Sequence, residues 1–300
     1  MSRSLRVICA ALFVFAFVSE GSAQLGLFSK DQLIDFTQSW KGERFPDGRP
    51  KVSDEVLNRL KNVDAEGAWD VLTDAGFPNQ FEGNWKVINP GPRIVGRVVT
   101  AVFMPFRPDV NNVIVQHGKT EGRIGDQNSW VIDTLKPGDI LVVDLFGKIK
   151  DGTFAGDNLG TSIYTKSKTG LVVDGAVRDQ SGLQEIEGFQ VYVRGVDPSA
   201  LGNVMLTGIN VPIRIGHVTV MPGDVAVTDP EGITFIPPQL CEEVADKDEV
   251  TNLVDEWGHM MLRQQKYTPG EIDGRWTPRM IEEFNQWAAS KGYKQRLKDH

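Results

Sequence analysis

GTFAGDNLGTSIYTKSKTGLVVDGAVRD, residues Gly152–Asp179, decides how this chain folds. Small and glycine residues open it, Asp157–Lys168 has the make-up of a helix, and Leu171–Asp174 is a short apolar strand. Just before it lies ILVVDLF, Ile140–Phe146, a near-continuous apolar run of the kind that is buried on both faces of a sheet. Strand, helix and strand in that order predict a βαβ unit with parallel strands. The helix then starts at the edge where the first strand ends, and the second strand ends at the same edge. Residues Gly175–Asp179 are therefore expected beside Gly156–Leu159. Between Asp157 and the Arg178–Asp179 pair lie twenty residues, the length that a three-turn helix and a return strand consume. Open α/β sheets bind ligands at this edge.

The residue types suit such a place. Free backbone N–H groups of Asp157, Asn158 and Leu159 at a helix start can hold a carboxylate or phosphate, and Gly156 admits a ligand close to the backbone. Arg178 offers a planar fork for a carboxylate or keto-acid oxygen. Asp179 is a hard oxygen donor for Mg²⁺ or Mn²⁺, and Asp157 is placed to orient metal-bound water. Taken alone, the local pattern favours a plainer account. Asp157 is then a helix N-cap and Arg178–Asp179 a surface turn with a weak ion pair.

Outward from this stretch, strands are expected at Ile94–Phe103, Val191–Arg194, Val225–Thr228 and Ile233–Ile236, with a hairpin over Val211–Val220 around Gly216. Short helices are expected at Phe28–Trp40, Ser53–Lys61, Ala65–Ala75 and Asn128–Leu135, while Arg107–Val115 reads either way. Pro237–Pro238 punctuates the chain. Beyond it, Leu240–Tyr267 is a long amphipathic helix and Arg279–Ser290 a last one. The fold class is α/β, with helical N- and C-terminal extensions. Trp257, Trp276 and Trp287 are expected to pack the C-terminal helices over a neighbouring subunit.

The chain has 300 residues, 40% of them hydrophobic, which is ample for a core. A net charge of −8 argues against a general nucleic-acid surface. Residues 1–23 read as a secretory signal peptide. Arg3 and Arg6 precede the twelve apolar residues Val7–Val18, and Gly21 and Ala23 stand at −3 and −1 before Gln24. The run is shorter than the roughly 20 residues that span a bilayer. Export to the periplasm or medium is expected, with no stable membrane anchor after cleavage. Cys241 is then the sole thiol of the mature chain, which excludes an intrachain disulfide. His117, His217 and His259 lack metal-ligand spacing.

GDNL at Gly156–Leu159 followed by LVVDGAVRD at Leu171–Asp179 resembles the signature of the RraA-like family, an Asp, twenty residues, then Arg-Asp. PGDILVVD at Pro137–Asp144 and NVPIRIGHVTVMPGDVAVTDPEGI at Asn210–Ile233 agree with it. That family holds the 4-hydroxy-4-methyl-2-oxoglutarate aldolases and the regulators of ribonuclease E activity. The resemblance reverses the preference left by local pattern. It implies a compact β/β/α, swivelling-domain-like core over residues 53–262, while the 24–52 arm before it and the 263–300 helical extension after it depart from the family pattern. It also implies a homotrimer or hexamer with sites between subunits. The implied activity is a divalent-metal lyase of the class II aldolase kind that also decarboxylates oxaloacetate. Through the resemblance, the backbone of Gly156, Asp157, Asn158 and Leu159 holds a pyruvate-type 2-oxo acid. Arg178 contacts its oxygen and stabilises the enolate, Asp179 ligates Mg²⁺ or Mn²⁺, and Asp157 contacts metal-bound water. A carboxylate from the adjacent subunit's C-terminal helix completes the set, for which Glu256 is the candidate. Two alternatives of other kinds are a non-catalytic protein-binding module and an exported carbohydrate- or keto-acid-binding protein.

Overall fold

The computed structural model describes residues 29–294 and 296–298, so the expected signal peptide at 1–23 lies outside the described residues. Along the chain the elements are α1 (Lys30–Phe36), α2 (Asp54–Leu60), α3 (Ala65–Asp74), β1 (Phe81–Gly83), β2 (Lys86–Ile88), β3 (Val95–Pro105), α4 (Pro108–Thr120) and α5 (Gln127–Ile132). They continue with β4 (Asp139–Thr153), α6 (Asp157–Ser167), β5 (Leu171–Val177), α7 (Gln180–Gln184), β6 (Val191–Val196), β7 (Val204–Ile209), β8 (Ile213–Ile215) and β9 (Val218–Val220). The last are β10 (Val225–Thr228), β11 (Gly232–Ile236), α8 (Cys241–Arg263), α9 (Pro269–Ile272) and α10 (Pro278–Ser290).

Nine strands form one mixed sheet in the order β1-β11-β10-β3-β4-β5-β6-β2, with β7 on the second half of β3. The pairs β3–β4, β4–β5 and β5–β6 are parallel, with Leu141 opposite Leu171 and Asp144 opposite Asp174. Strand periodicity sorts these apolar runs onto two faces. Val99, Leu141, Val143 and Val173 meet the helices through Trp130, Ile163 and Leu183. Val98, Ile140, Val142 and Val172 meet the β8–β9 hairpin through Ile213, Ile215, Val218 and Val220. Both faces are dry, which is why the central strands read as unbroken apolar runs rather than as alternation.

Two expectations are refined. Arg107–Val115 belongs to a helix, α4, whose Pro108 occupies the first turn where its missing N–H is harmless. Strand β4 runs well past Phe146 to Thr153. It does so by a kinked excursion with positive φ at Phe146, Gly147 and Asp151, a conformation that no apolar pattern announces. No helix among the described residues is long and apolar enough to cross a membrane.

The terminal segments are anchored differently. On the arm, Arg49 is buried to 1% exposure and pairs through Nη1 with the wholly buried Asp139 at 3.1 Å, tying the arm to the first of two PGD turns, Pro137–Asp139, the second being Pro222–Asp224. The C-terminal half of α8 joins α9 and α10 in a separate core of Leu253, Trp257, Met261, Trp276, Met280 and Phe284. The rings of Trp257 and Trp276 lie 4.7 Å apart, tilted by 50°, and those of Phe284 and Trp287 lie 5.8 Å apart. These rings pack on one another within the chain, with Trp257 and Trp276 buried and Trp287 half-buried at the edge of the cluster.

Candidate active site at the sheet edge

The βαβ unit brings its termini together as the spacing predicts. Phe154 N–H donates to Ala176 O at 2.9 Å and Arg178 N–H to Ala155 O at 3.0 Å, so the segment entering α6 is zipped to the end of β5. Gly156 is the N-cap residue of α6 and Asp157 the first helical position. Asp157 is therefore not a helix N-cap. The first helical bond runs from Gly160 N–H to Gly156 O, which leaves the N–H groups of Asp157, Asn158 and Leu159 outside the helical ladder. The Asp157 carboxylate takes one of them, accepting from Asn158 N–H at 2.7 Å. Asp157 N–H and Leu159 N–H remain for an anion, aided by the helix dipole.

Arg178 and Asp179 follow β5 directly and are about half-exposed, with Nε 3.4 Å from Oδ2. Asp179 has φ +53° and ψ +45°, a left-handed conformation that Asp tolerates better than most residues. It turns the chain into α7 and points its carboxylate back at Gly156. A methyl group on Gly156 would overlap Asp179 Oδ2 and stand 3.2 Å from Arg178 Nε. In α7, a methyl on Gly182 would meet Asp157 Oδ2 at 2.7 Å. Two glycines thus let Asp157, Arg178 and Asp179 converge around one helix start.

The donor set fits a hard cation. Mg²⁺ keeps several waters and takes one or two protein carboxylates plus oxygens of its ligand, and Asp179 with Asp157 beside it offers that number. Asp179 Oδ1 accepts no hydrogen bond among the described residues. No cluster of three or more His, Cys, Asp or Glu side chains exists among the described residues, so an all-protein cage is not what this edge provides.

Beside Gly156, Leu159 and Arg178 opens a groove of about 700 Å³, walled by α4, α5 and the start of β7. Beyond Gly156, Leu159 and Arg178, its lining residues were missed by sequence reasoning. Asn128 is buried, donating through Nδ2 to Phe154 O at 2.8 Å and so fixing the strand that leads into Gly156. Lys119 and Arg123 sit on or just beyond α4, the segment whose pattern was ambiguous. Arg123 pairs with Glu121 at 2.7 Å. On the hairpin face, Arg194 joins Asp174 at 2.8 Å to Glu82 and lies 3.8 Å over the Trp85 ring, which braces β5 below the site. Burial pushes the neighbouring Asp144 carboxyl up, with Asp174 adding to the rise.

Glu256 lies elsewhere in the chain. It stands on α8, half-exposed, 3.9 Å from Lys291, on a helix that packs against α2, α3, α9 and α10. Within one chain it is not brought to Arg178.

Comparison with known proteins places these observations in a family. The family model described as RraA-like, Aldolase/RraA, matches residues 50–235. A protein of Halalkalibacterium halodurans named "Putative 4-hydroxy-4-methyl-2-oxoglutarate aldolase" is 36% identical over 161 residues, covering 53% of this chain and 75% of that one. Protein DlpA of Legionella pneumophila is 27% identical over 205 residues, 67% of this chain but only 30% of its own length. Among solved structures, Streptomyces coelicolor RraAS2, described as an unusual member of the RNase ES inhibitor RraA protein family, superposes with a TM-score of 0.61. It is 25% identical and covers 70% of this chain and 99% of its own. A matched model spanning most of the sheet, together with the Asp157…Arg178–Asp179 edge, shows that the chain belongs to the RraA-like family.

Proposed function

We propose that the protein is a divalent-metal-dependent lyase that cleaves a 4-hydroxy-2-oxo acid, of the kind exemplified by 4-hydroxy-4-methyl-2-oxoglutarate, to pyruvate, and that it decarboxylates oxaloacetate. The observation that carries this reading is the convergence of the α6 N-terminus, Arg178 and Asp179 at one end of a groove. The name of the H. halodurans relative supports it. Asp157 N–H and Leu159 N–H bind the substrate carboxylate. Arg178 aligns the 2-oxo oxygen and stabilises the negative charge that grows there as the bond breaks. A cation, Mg²⁺ or Mn²⁺, held by Asp179 with Asp157 beside it, would supply Lewis acidity to the substrate oxygens. Retro-aldol cleavage and β-keto-acid decarboxylation both develop a pyruvate enolate, so one arginine serves both.

Proton handling is assigned to Glu256 of a second copy in a homotrimer or hexamer built on a β/β/α, swivelling-type core. Met104, Phe106, Val113 and Ile124, large apolar side chains exposed on and around α4, support such association. Export through residues 1–23 belongs to the same reading, and a mature N-terminus at Gln24 by mass spectrometry tests it. The second reading, a non-catalytic regulator, is favoured by the description of the S. coelicolor structure.

Pyruvate release from a panel of 4-hydroxy-2-oxo acids and from oxaloacetate, with Mg²⁺ and with EDTA, decides between them. Turnover that needs the metal and vanishes in Asp179→Ala is the expected result. Turnover unchanged in Asp179→Ala and in Arg178→Ala would remove the assigned site, and no turnover of any compound would leave the regulator.

A further inference from the structure

We propose that Asn128 is a positioning residue of the site beside Arg178, setting the direction of the free α6 N–H groups through the carbonyl of Phe154. This rests on the lyase reading of the same site and adds a residue to it.

Three residues, Phe154, Ala155 and Gly156, carry the chain from β4 to α6. Their peptide planes are stiff and linked only through backbone torsions, so the tilt of each one bears on where Asp157 N–H and Leu159 N–H point. Two of the three carbonyls are pinned by backbone. Ala155 O accepts from Arg178 N–H at 3.0 Å, and Gly156 O accepts from Gly160 N–H at 2.8 Å. The third, Phe154 O, is pinned by a side chain, accepting from Asn128 Nδ2 at 2.8 Å. Among the described residues no other donor reaches that oxygen.

Both ends of the Asn128 amide are engaged. Its Oδ1 accepts from Ser129 N–H at 3.0 Å. Turning the amide over would set oxygen against Phe154 O and N–H against N–H, so its orientation is fixed. Asn128 is 8% exposed and sits on α5, whose Trp130, Val131 and Ile132 belong to the main core. The donor is therefore as immobile as the core itself.

Phe154 is wholly buried, its ring edge-on to Phe103 at 6.0 Å, and its N–H donates to Ala176 O at 2.9 Å. Ring and N–H are thus held by the sheet, and the carbonyl by Asn128. A buried carbonyl that loses its donor has no water beside it and turns to find another partner. Gly156, with no side chain to resist, passes that turn to the start of α6. Arg178 and Asp179 do not follow, because they extend from β5. The carboxylate cradle then shifts against the arginine and the proposed cation ligand, the kind of small displacement that costs a reaction most.

The test is calorimetric titration of the purified protein with pyruvate and Mg²⁺, in the parent, Asn128→Ala, Asn128→Asp and Thr100→Val, at a temperature where circular dichroism shows each one folded. Thr100 Oγ1 donates to Val211 O at 2.6 Å, so Thr100→Val removes a comparable side-chain bond to a carbonyl on the hairpin face, away from the site. Asn128→Ala is expected to weaken pyruvate about tenfold and to speed hydrogen exchange at Gly160 and Arg178, while Thr100→Val changes neither. Asn128→Asp offers a donor to Phe154 O only while its carboxyl is protonated, a form that burial favours. Its affinity relative to the parent should therefore rise as pH falls from about 8 to about 5. Affinity or exchange unmoved by Asn128→Ala, equal weakening by Thr100→Val, or a ratio for Asn128→Asp that ignores pH would each overturn the proposal. A parent that binds no pyruvate would remove the site reading and this proposal with it. Pyruvate bound and weakened as expected, with none released from any 4-hydroxy-2-oxo acid or from oxaloacetate, would uphold the role of Asn128 and remove the lyase reading alone.

Discussion

Gly156 and Asp179 face each other so closely that the side chain of any other residue at Gly156 would occupy the space of the Asp179 carboxylate. The α6 N-terminus and the proposed cation ligand are therefore built as one unit. Gly156 has φ −114°, which any residue adopts, so the requirement is for space and not for backbone freedom. Gly156→Ala is expected to keep the fold and lose function. Pyruvate release should drop about a hundredfold, as for other small displacements of a reacting geometry, while the circular dichroism spectrum and Tm change little. A variant that retains full turnover would separate Gly156 from the site.

Arg178 differs from a simple counter-charge because its fork can address two oxygens at once. Arg178→Lys preserves the charge and loses the planar pair of donors. The expected loss in kcat is about 10²–10³-fold, the scale seen when one donor to a developing oxyanion is removed. KM should change much less, because the substrate carboxylate is held by Asp157 N–H and Leu159 N–H. Steady-state kinetics on both substrate classes checks the split.

Much of this edge was legible in the chain. ILVVDLF and LVVDG are apolar on both faces, so their parallel pairing and the position of Arg178–Asp179 follow from length and period alone. The walls of the groove were not legible. Residues 107–115 carry Arg, Pro, Asp and two Asn, whose local hydrogen bonding competes with a helix, and only packing of Ile114 and Gly118 on Trp130 settles them as α4. Strand β7 was missed because VMLTGI is short and is recognised by its partner β3 rather than by its own pattern. Asn128 gave no signal, since a buried amide that caps a loop carbonyl looks in sequence like any helix-starting Asn.

The first PGD turn is locked from outside by the arm. Asp139 Oδ2 accepts from Lys136 N–H at 2.9 Å, and Arg49 neutralises the same carboxylate inside the protein. Arg49→Met would leave a wholly buried carboxylate with no counter-charge, which destabilises by about 3–5 kcal/mol. The double variant with Asp139→Asn, which keeps the acceptor for Lys136, should recover much of that loss. Urea denaturation of the three proteins measures both steps.

The C-terminal hairpin has its own core, so it should fail on its own. Trp257 is 2% exposed and touches Tyr267, Trp276 and Phe284. Trp257→Ala should remove about 3–5 kcal/mol of local packing. The expected signature is hydrogen exchange that speeds up across α9 and α10 while β3–β6 stay protected. Uniform loss of protection would mean that hairpin and sheet unfold together.

The second PGD turn repeats the geometry of the first without its cation. Asp224 Oδ2 accepts from Met221 N–H at 2.8 Å, but no arginine among the described residues pairs with it, and burial pushes its carboxyl up to about 8. A carboxyl that holds its proton more tightly when folded than when unfolded favours the folded state fully below its unfolded value, about 4. That contribution is lost as pH rises toward 8, because the unfolded chain ionises first and the folded state carries the extra proton. Asp224→Asn keeps the acceptor and removes the titration. It should match the parent protein in stability at pH 4 and exceed it increasingly up to pH 8, by on the order of a few kcal/mol. Parallel denaturation curves across that range read the difference directly, and a difference independent of pH would mean that Asp224 stays ionised in the fold.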